Sequence, residues 1–276
     1  MSNDAYFKDK VCVITGAGSG IGRALAENLA RRGAHLALSD IDAEGLAETV
    51  RRCEKYGVEI KSDPLNVAER EAVLVYADEV KKHFGKVNQI YNNAGIAHHG
   101  DVLDTAFKDI ERIMDVDFWG VVNGTKAFLP FLIESGDGHV VNVSSLFGLI
   151  AVPGQSAYNS AKFAVRGFTE ALRQEMLMNG TPVKVTCVHP GGIKTAVARN
   201  ATVAEGLNQK NVAALFDSKL ALHTPEMAAQ TITEAVRKGH GRVLIGWEAK
   251  ALDLFVRTTA SYYQRISAVV QKRFLP

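Results

Sequence analysis

At 276 residues, 47% of them hydrophobic, the chain can bury a substantial core, and its length fits one α/β domain better than two small ones. Its 32 lysines and arginines nearly cancel 30 aspartates and glutamates, which argues against a nucleic-acid partner and leaves small molecules as the expected ligands. No apolar run approaches the roughly 20 residues needed to span a bilayer, so no membrane partner is expected.

The first ten residues are polar and charged, without a secretory leader, and Cys12, Cys53 and Cys187 form an odd set lacking C-x-x-C spacing. A cytoplasmic protein with reduced thiols and no metal is expected. In chain order, apolar strand-like runs fall at residues 11–15, 35–39, 59–63, 89–92, 139–144, 184–189 and 242–246, separated by helix-length amphipathic segments. That alternation requires right-handed crossovers between parallel strands. The predicted fold is therefore α/β: a single-domain, Rossmann-like, doubly wound, seven-stranded parallel sheet with helices on both faces. After the sixth strand, residues 194–222 form a polar, helix-like insertion suited to a substrate lid.

The first strand runs into Thr15-Gly-Ala-Gly-Ser-Gly-Ile-Gly22, with a helix expected to start near Gly20. At Gly16, Gly20 and Gly22 the missing side chains let the backbone approach a pyrophosphate, and the helix N-terminus around Ser19 and Ile21 meets its charge. An ordinary tight turn is the plain alternative for the glycines alone. Asp40 closes the second strand about 20 residues further on, where a carboxylate accepts from ribose hydroxyls and repels a 2′-phosphate. Ser19 and Ile41 stand where a cation for that phosphate is needed, so NAD is expected rather than NADP. Arg23 is the residue that would reverse this, its plain reading being a solvent-facing helix arginine.

With Asn92-Asn-Ala-Gly95, Ser145, Tyr158-x-x-x-Lys162 and Pro190-Gly-Gly-Ile-Lys-Thr195 following in order, the chain resembles the short-chain dehydrogenase/reductase family over roughly residues 8–246. The resemblance implies an alcohol dehydrogenase or ketoreductase dependent on a nicotinamide cofactor. It further implies that Asn92, Asn93, Ala94 and Gly95 close over the adenosine half. Asn66, where the family has an aspartate, and Val67 lie by the adenine. Pro190, Gly191, Ile193 and Thr195 hold the nicotinamide and pyrophosphate, and Tyr158 and Lys162 reach the nicotinamide ribose. A homo-oligomer, dimer or tetramer, is implied as well.

Removing a hydroxyl proton near neutrality needs a phenol whose pKa, ordinarily about 10, is lowered by nearby positive charge. Tyr158 is the expected acceptor and Lys162, one helical turn on, the charge. Ser145 matches the family's serine, polarising the substrate oxygen rather than attacking it, with Ser144 its rival on local sequence. Asp117 occupies the fourth catalytic position, where the family has asparagine. A carboxylate there puts negative charge near Lys162 and makes Tyr158 harder to deprotonate, unless it turns away or is protonated. Asp117→Asn is thus expected to move oxidation activity toward lower pH.

Phe147, Leu149, Val152, Val197, Leu207, Leu215 and Phe216 are candidate pocket residues, favouring a hydrophobic alcohol, ketone or aldehyde. His98 and His99 are expected as solvated loop histidines, with orientation of a substrate polar group as the alternative. The amphipathic tail, residues 250–276, places Leu252, Phe255, Thr259, Tyr262, Ile266, Val269 and Phe274 near helical spacing, interrupted by Arg257, Arg265, Lys272 and Arg273. It can pack on its own substrate loop, contact another subunit or lie on a membrane. Two rival functions remain open: an NAD-binding regulatory protein without turnover, and a membrane-associated lipid or retinoid reductase.

Overall fold

The computed structural model describes residues 5–212, 214 and 222–271. Seven strands, β1 (Val11–Thr15), β2 (His35–Asp40), β3 (Ile60–Pro64), β4 (Gln89–Asn92), β6 (Gly138–Val143), β7 (Val183–Pro190) and β9 (Arg242–Ile245), build one sheet. Every pairing is parallel, in the order β3-β2-β1-β4-β6-β7-β9. Each expected strand lies within one residue of its predicted ends. The chain steps outward from β1 to β3 and then returns to lay β4 on the other side of β1, which opens a crevice at the carboxyl ends of these two strands.

Period-two alternation sends neighbouring strand residues to opposite faces. Cys12, Ile14, Leu36 and Leu38 pack against α1 (Gly20–Arg31), α2 (Ala43–Glu54) and α8 (Pro225–Lys238), through Leu25, Leu29, Leu46 and Ile232. Val13, Ala37 and Ile90 face the other way, onto Val80 of α3 (Arg70–Phe84), Phe128 of α5 (Gly120–Glu134) and Leu172 of α6 (Ser156–Met178). Full burial of each such leucine or phenylalanine contributes about 1.5–3 kcal/mol.

Two segments depart from expectation. The insertion is not simply helical: after a four-residue helix, α7 (Ala196–Arg199), it forms β8 (Thr202–Val203), which pairs with β5 (His98–His99). The tail is not one amphipathic helix. It breaks at Ala260, whose φ of 47° no continuous α-helix accommodates, into α9 (Trp247–Thr259) and α10 (Tyr263–Gln271). The break changes the buried face: Tyr263 is buried while Tyr262 and Val269 stay exposed. Leu252, Phe255, Val256 and Tyr263 pack on Leu146, Leu149 and Ile150, so the described tail covers its own chain's loop after β6. Lys272, Arg273 and Phe274 lie outside the described residues. Among the described residues no helix is long and apolar enough to cross a membrane.

Candidate active site

At the carboxyl end of β1 the glycine loop enters α1 at Gly20, as the sequence indicates. A Cβ on Gly22 would stand 2.0 Å from the Gly16 carbonyl oxygen, so only glycine lets the helix start this close to the loop. Gly20 has a φ of 51°, and a Cβ there would press on the Thr195 side chain at 3.2 Å, which places Thr195 across the cradle. Ser19 precedes the helix with its side chain making no cap bond, and the first turn, which includes Ile21, carries no acid. The first N–H groups of α1 are thus left for an anion.

Asp40 is held against this loop, one carboxylate oxygen accepting the Gly18 N–H at 2.7 Å and the other the Asp42 N–H at 2.9 Å. Arg23 is not the solvent-facing residue expected. Its guanidinium donates to Thr49 Oγ1 at 3.0 Å, to the Gly45 carbonyl at 3.1 Å and to the Gly18 carbonyl, bracing the loop from inside.

Behind the cradle, Thr15 Oγ1 accepts the N–H groups of Asn93 and Ala94, each at 3.1 Å, a role the sequence reading missed. The Asn93 side chain donates to the Thr15 and Gly16 carbonyls, at 3.0 and 3.2 Å. Asn92 does not face the cradle: its side chain is buried and donates to Thr125 and Asn142 at 3.0 and 2.8 Å. Strand alternation turns it inward. Asn66 is exposed and bound within its own turn, to the Ala68 N–H at 3.1 Å and Glu69 at 3.0 Å. Val67 is buried, its carbonyl accepting from Asn123 at 3.0 Å.

At the exit of β7 the turn from Pro190 is pinned by the Gly191 N–H to the Ile245 carbonyl, 2.9 Å, and Ile193 forms a bridge with His223. Glu248, at the start of α9, accepts the Gly192 N–H at 3.3 Å and pairs with His223 Nε2 at 2.8 Å. Neither residue carries a motif, so no sequence signal marks them. The cradle, the open helix N-terminus and Asp40 fit a dinucleotide, which Ser19, Gly20, Asp40 and Thr195 would hold.

Tyr158 and Lys162 share one face of α6, with Lys162 Nζ 5.4 Å from the Tyr158 ring centre. Ser145 stands beside the Tyr158 phenol, and its hydroxyl accepts the Phe147 N–H at 3.1 Å. Its rival Ser144 is buried and donates to the Lys162 carbonyl at 2.8 Å, fixing α6 to β6. Between α4 (Phe107–Met114) and α5, the helix widens to a π-turn over Asp115–Trp119. This sends Asp117 inward, fully buried, with one oxygen 3.1 Å from Lys162 Nζ and the other accepting the Ile96 N–H at 2.8 Å. The carboxylate faces the lysine. Gly95 passes close over the pair, since a Cβ on it would lie 3.4 Å from both Asp117 and Lys162.

Burial raises the pKa of Tyr158, with Lys162 opposing and Asp117 adding to the rise. Burial likewise raises Asp117 against the pull of Lys162. For Lys162, burial works against the charged form, but Asp117 and Tyr158 outweigh it and its pKa is raised.

On the substrate side, the Phe147 ring meets that of Tyr158 edge-on at 6.2 Å. Val152 accepts from Asn159 through its carbonyl, 2.9 Å, and Val197 is partly exposed. Leu207 is exposed, whereas Leu149 is buried under the tail rather than open to a ligand. Leu215 and Phe216 lie outside the described residues. His98 and His99 are not solvated: His98 is buried with Nδ1 2.9 Å from Thr202 Oγ1, and His99 meets Gln155 at 3.1 Å. Burial lowers the pKa of both. The burial of His98 and the partial burial of His99 accompany the pairing of β5 with β8, a contact between segments a hundred residues apart.

Comparison with known proteins agrees with this geometry. Residues 10–206 match the family model described as short chain dehydrogenase. A protein of Mycobacterium tuberculosis named as the oxidoreductase SadH is 68% identical over 270 residues, covering 98% of each chain. A short chain dehydrogenase/reductase from Burkholderia phymatum, solved in complex with NAD, superposes with a TM-score of 0.84 at 28% identity over 94% of this chain and 96% of its own. An alcohol dehydrogenase from the archaeon Thermococcus sibiricus, complexed with 5-hydroxy-NADP, gives 0.73 at 26% identity over 87% and 95%. The chain is an oxidoreductase and belongs to the short chain dehydrogenase family.

Proposed function

We propose that this oxidoreductase interconverts a hydrophobic alcohol and its ketone or aldehyde with NAD(H). The observation carrying the reading is the meeting of Ser145, Tyr158 and Lys162 at the strand ends beside a glycine cradle fitted to a dinucleotide. The bound nicotinamide supplies or accepts the hydride. Ser145 orients the substrate oxygen, Tyr158 exchanges a proton with it, and Lys162 sets the charge around the phenol. NAD is favoured over NADP because Asp40 is fixed facing the glycine loop while Arg23 is engaged inward. Residues 194–222 act as the substrate lid, and the protein works as a homo-oligomer, a dimer or tetramer, in the cytoplasm.

The test is nicotinamide absorbance with purified protein, a panel of apolar secondary alcohols and ketones, both cofactors, and Tyr158→Phe as control. Turnover with NAD(H) that Tyr158→Phe abolishes supports the reading. Tight cofactor binding without turnover across the panel in wild type would favour a regulatory protein instead.

A further inference from the structure

Beside the catalytic tyrosine the chain buries a complete ion pair. Asp117 is fully inaccessible, the Lys162 side chain is 4% exposed, and 3.1 Å separates them. An unpaired Lys162 would present a whole positive charge to the phenol; a carboxylate this close offsets part of it, Lys162 remaining the stronger of the two at Tyr158. The other groups around them do not restore the charge. From the loop after β6, Ser145 offers the phenol a hydroxyl; from β7, Cys187 faces Lys162 as a buried thiol; from α4, the exposed Arg112 acts on Asp117 from a distance.

We infer that Asp117, by offsetting the charge of Lys162, is a positioning residue that keeps the Tyr158 phenol protonated through the neutral range, so that reduction runs independently of pH there and the pH dependence of the reaction falls on oxidation. This rests on the alcohol–carbonyl reading of the same site. In reduction the carbonyl carbon accepts a hydride with both its electrons from the reduced nicotinamide and the C=O π pair moves onto oxygen. The Tyr158 O–H bond then breaks to protonate that oxygen, leaving phenolate. A protonated phenol serves this direction over a wide pH range. Oxidation starts from the phenolate that reduction leaves, which the ion pair stabilises less than a lone lysine would, so its rate follows the phenolate fraction as pH rises.

The experiment is an ultraviolet difference titration of tyrosine ionisation in the cofactor-free protein, wild type against Asp117→Asn, with Tyr158→Phe and the double variant Asp117→Asn/Tyr158→Phe subtracted to isolate Tyr158. Asparagine keeps the shape and still accepts the Ile96 N–H. The expected result is ionisation of Tyr158 only above about pH 10 in wild type and at least about one unit lower in Asp117→Asn. Coincident Tyr158 titrations would overturn the inference. In parallel, wild-type kcat/KM for reduction should stay level from about pH 6 to 9 while oxidation climbs about tenfold per unit. A level oxidation profile near neutrality would also overturn it, and needs no variant to fold. Absence of turnover in both directions, with the expected titration shift, would instead count against the alcohol–carbonyl reading.

Discussion

The hydroxyl of Tyr263, 112 residues further along the chain, accepts the backbone N–H of Ala151 at 3.2 Å. Ala151 lies in the loop between Ser145 and Tyr158, so the C-terminal segment braces the loop that joins these two residues. Removing only that oxygen, in Tyr263→Phe, forfeits a bond of about 1 kcal/mol and leaves the ring packed on Leu149 and Ile150. The expected outcome is a KM for the carbonyl substrate raised about three- to tenfold with kcat little changed. Steady-state kinetics check it; a fall in kcat at constant KM would mean that the loop serves chemistry rather than binding.

Glu248 joins the turn after β7 to the far end of the insertion, through the Gly192 N–H and His223. If this is one unit, Glu248→Gln and His223→Gln should each weaken NADH binding about threefold, and the double variant should be no worse than either single change. Fluorescence titration of NADH measures all three. Additive losses would separate the two residues.

The fold was legible because both signals that specify it are local. Apolar runs marked all seven strands, and glycine spacing marked the start of α1. Motif spacing picks out Tyr158, Lys162, Ser145 and Asp117 as candidates, and the structure brings them together. What escaped depends on contacts distant in sequence. Thr15, Glu248, His223 and Tyr263 act only through partners on other elements, and His98 is buried and His99 half-buried where β5 meets β8. The tail was misread because Ala260 breaks a helix without the glycine or proline that normally announces a break. Arg23 was misread because its solvent-side position in the helix gave no hint of Thr49 and Gly45 across the gap.

Asp40 supplies a test of cofactor choice. With its carboxylate fixed at 2.7 Å from the Gly18 nitrogen, a 2′-phosphate in the same place meets like charge. Asp40→Ser should reduce the NAD-to-NADP ratio of kcat/KM by at least about tenfold, about 1.4 kcal/mol. Adding Ile41→Arg should reduce it further, because Ile41 is 72% exposed and a guanidinium there has room to reach the phosphate. Both variants should also bind NAD more weakly, since the Gly18 N–H loses its partner. An unaltered ratio would move the source of selectivity elsewhere.

His139 carries a stability prediction. Thr186 donates its hydroxyl to the His240 carbonyl at 2.7 Å, so it accepts from His139 Nε2–H, also at 2.7 Å, which fixes the neutral tautomer. Charging the ring requires a proton on Nδ1, which is buried without a partner among the described residues. Burial, with Lys184, Lys10 and Arg173 adding to it, pushes the pKa down to about 3. An unfolded histidine titrates near 6.5, so below that pH the unfolded chain binds the extra proton and the fold loses stability as pH falls toward 3. The slope from this one group is about 1.4 kcal/mol per pH unit. His139→Gln can keep a donor to Thr186 but cannot titrate. Urea denaturation at pH 7, 6, 5 and 4 should therefore show the variant losing stability less steeply than wild type, by that slope, below about pH 6. Parallel curves would mean that His139 becomes solvated before the chain unfolds.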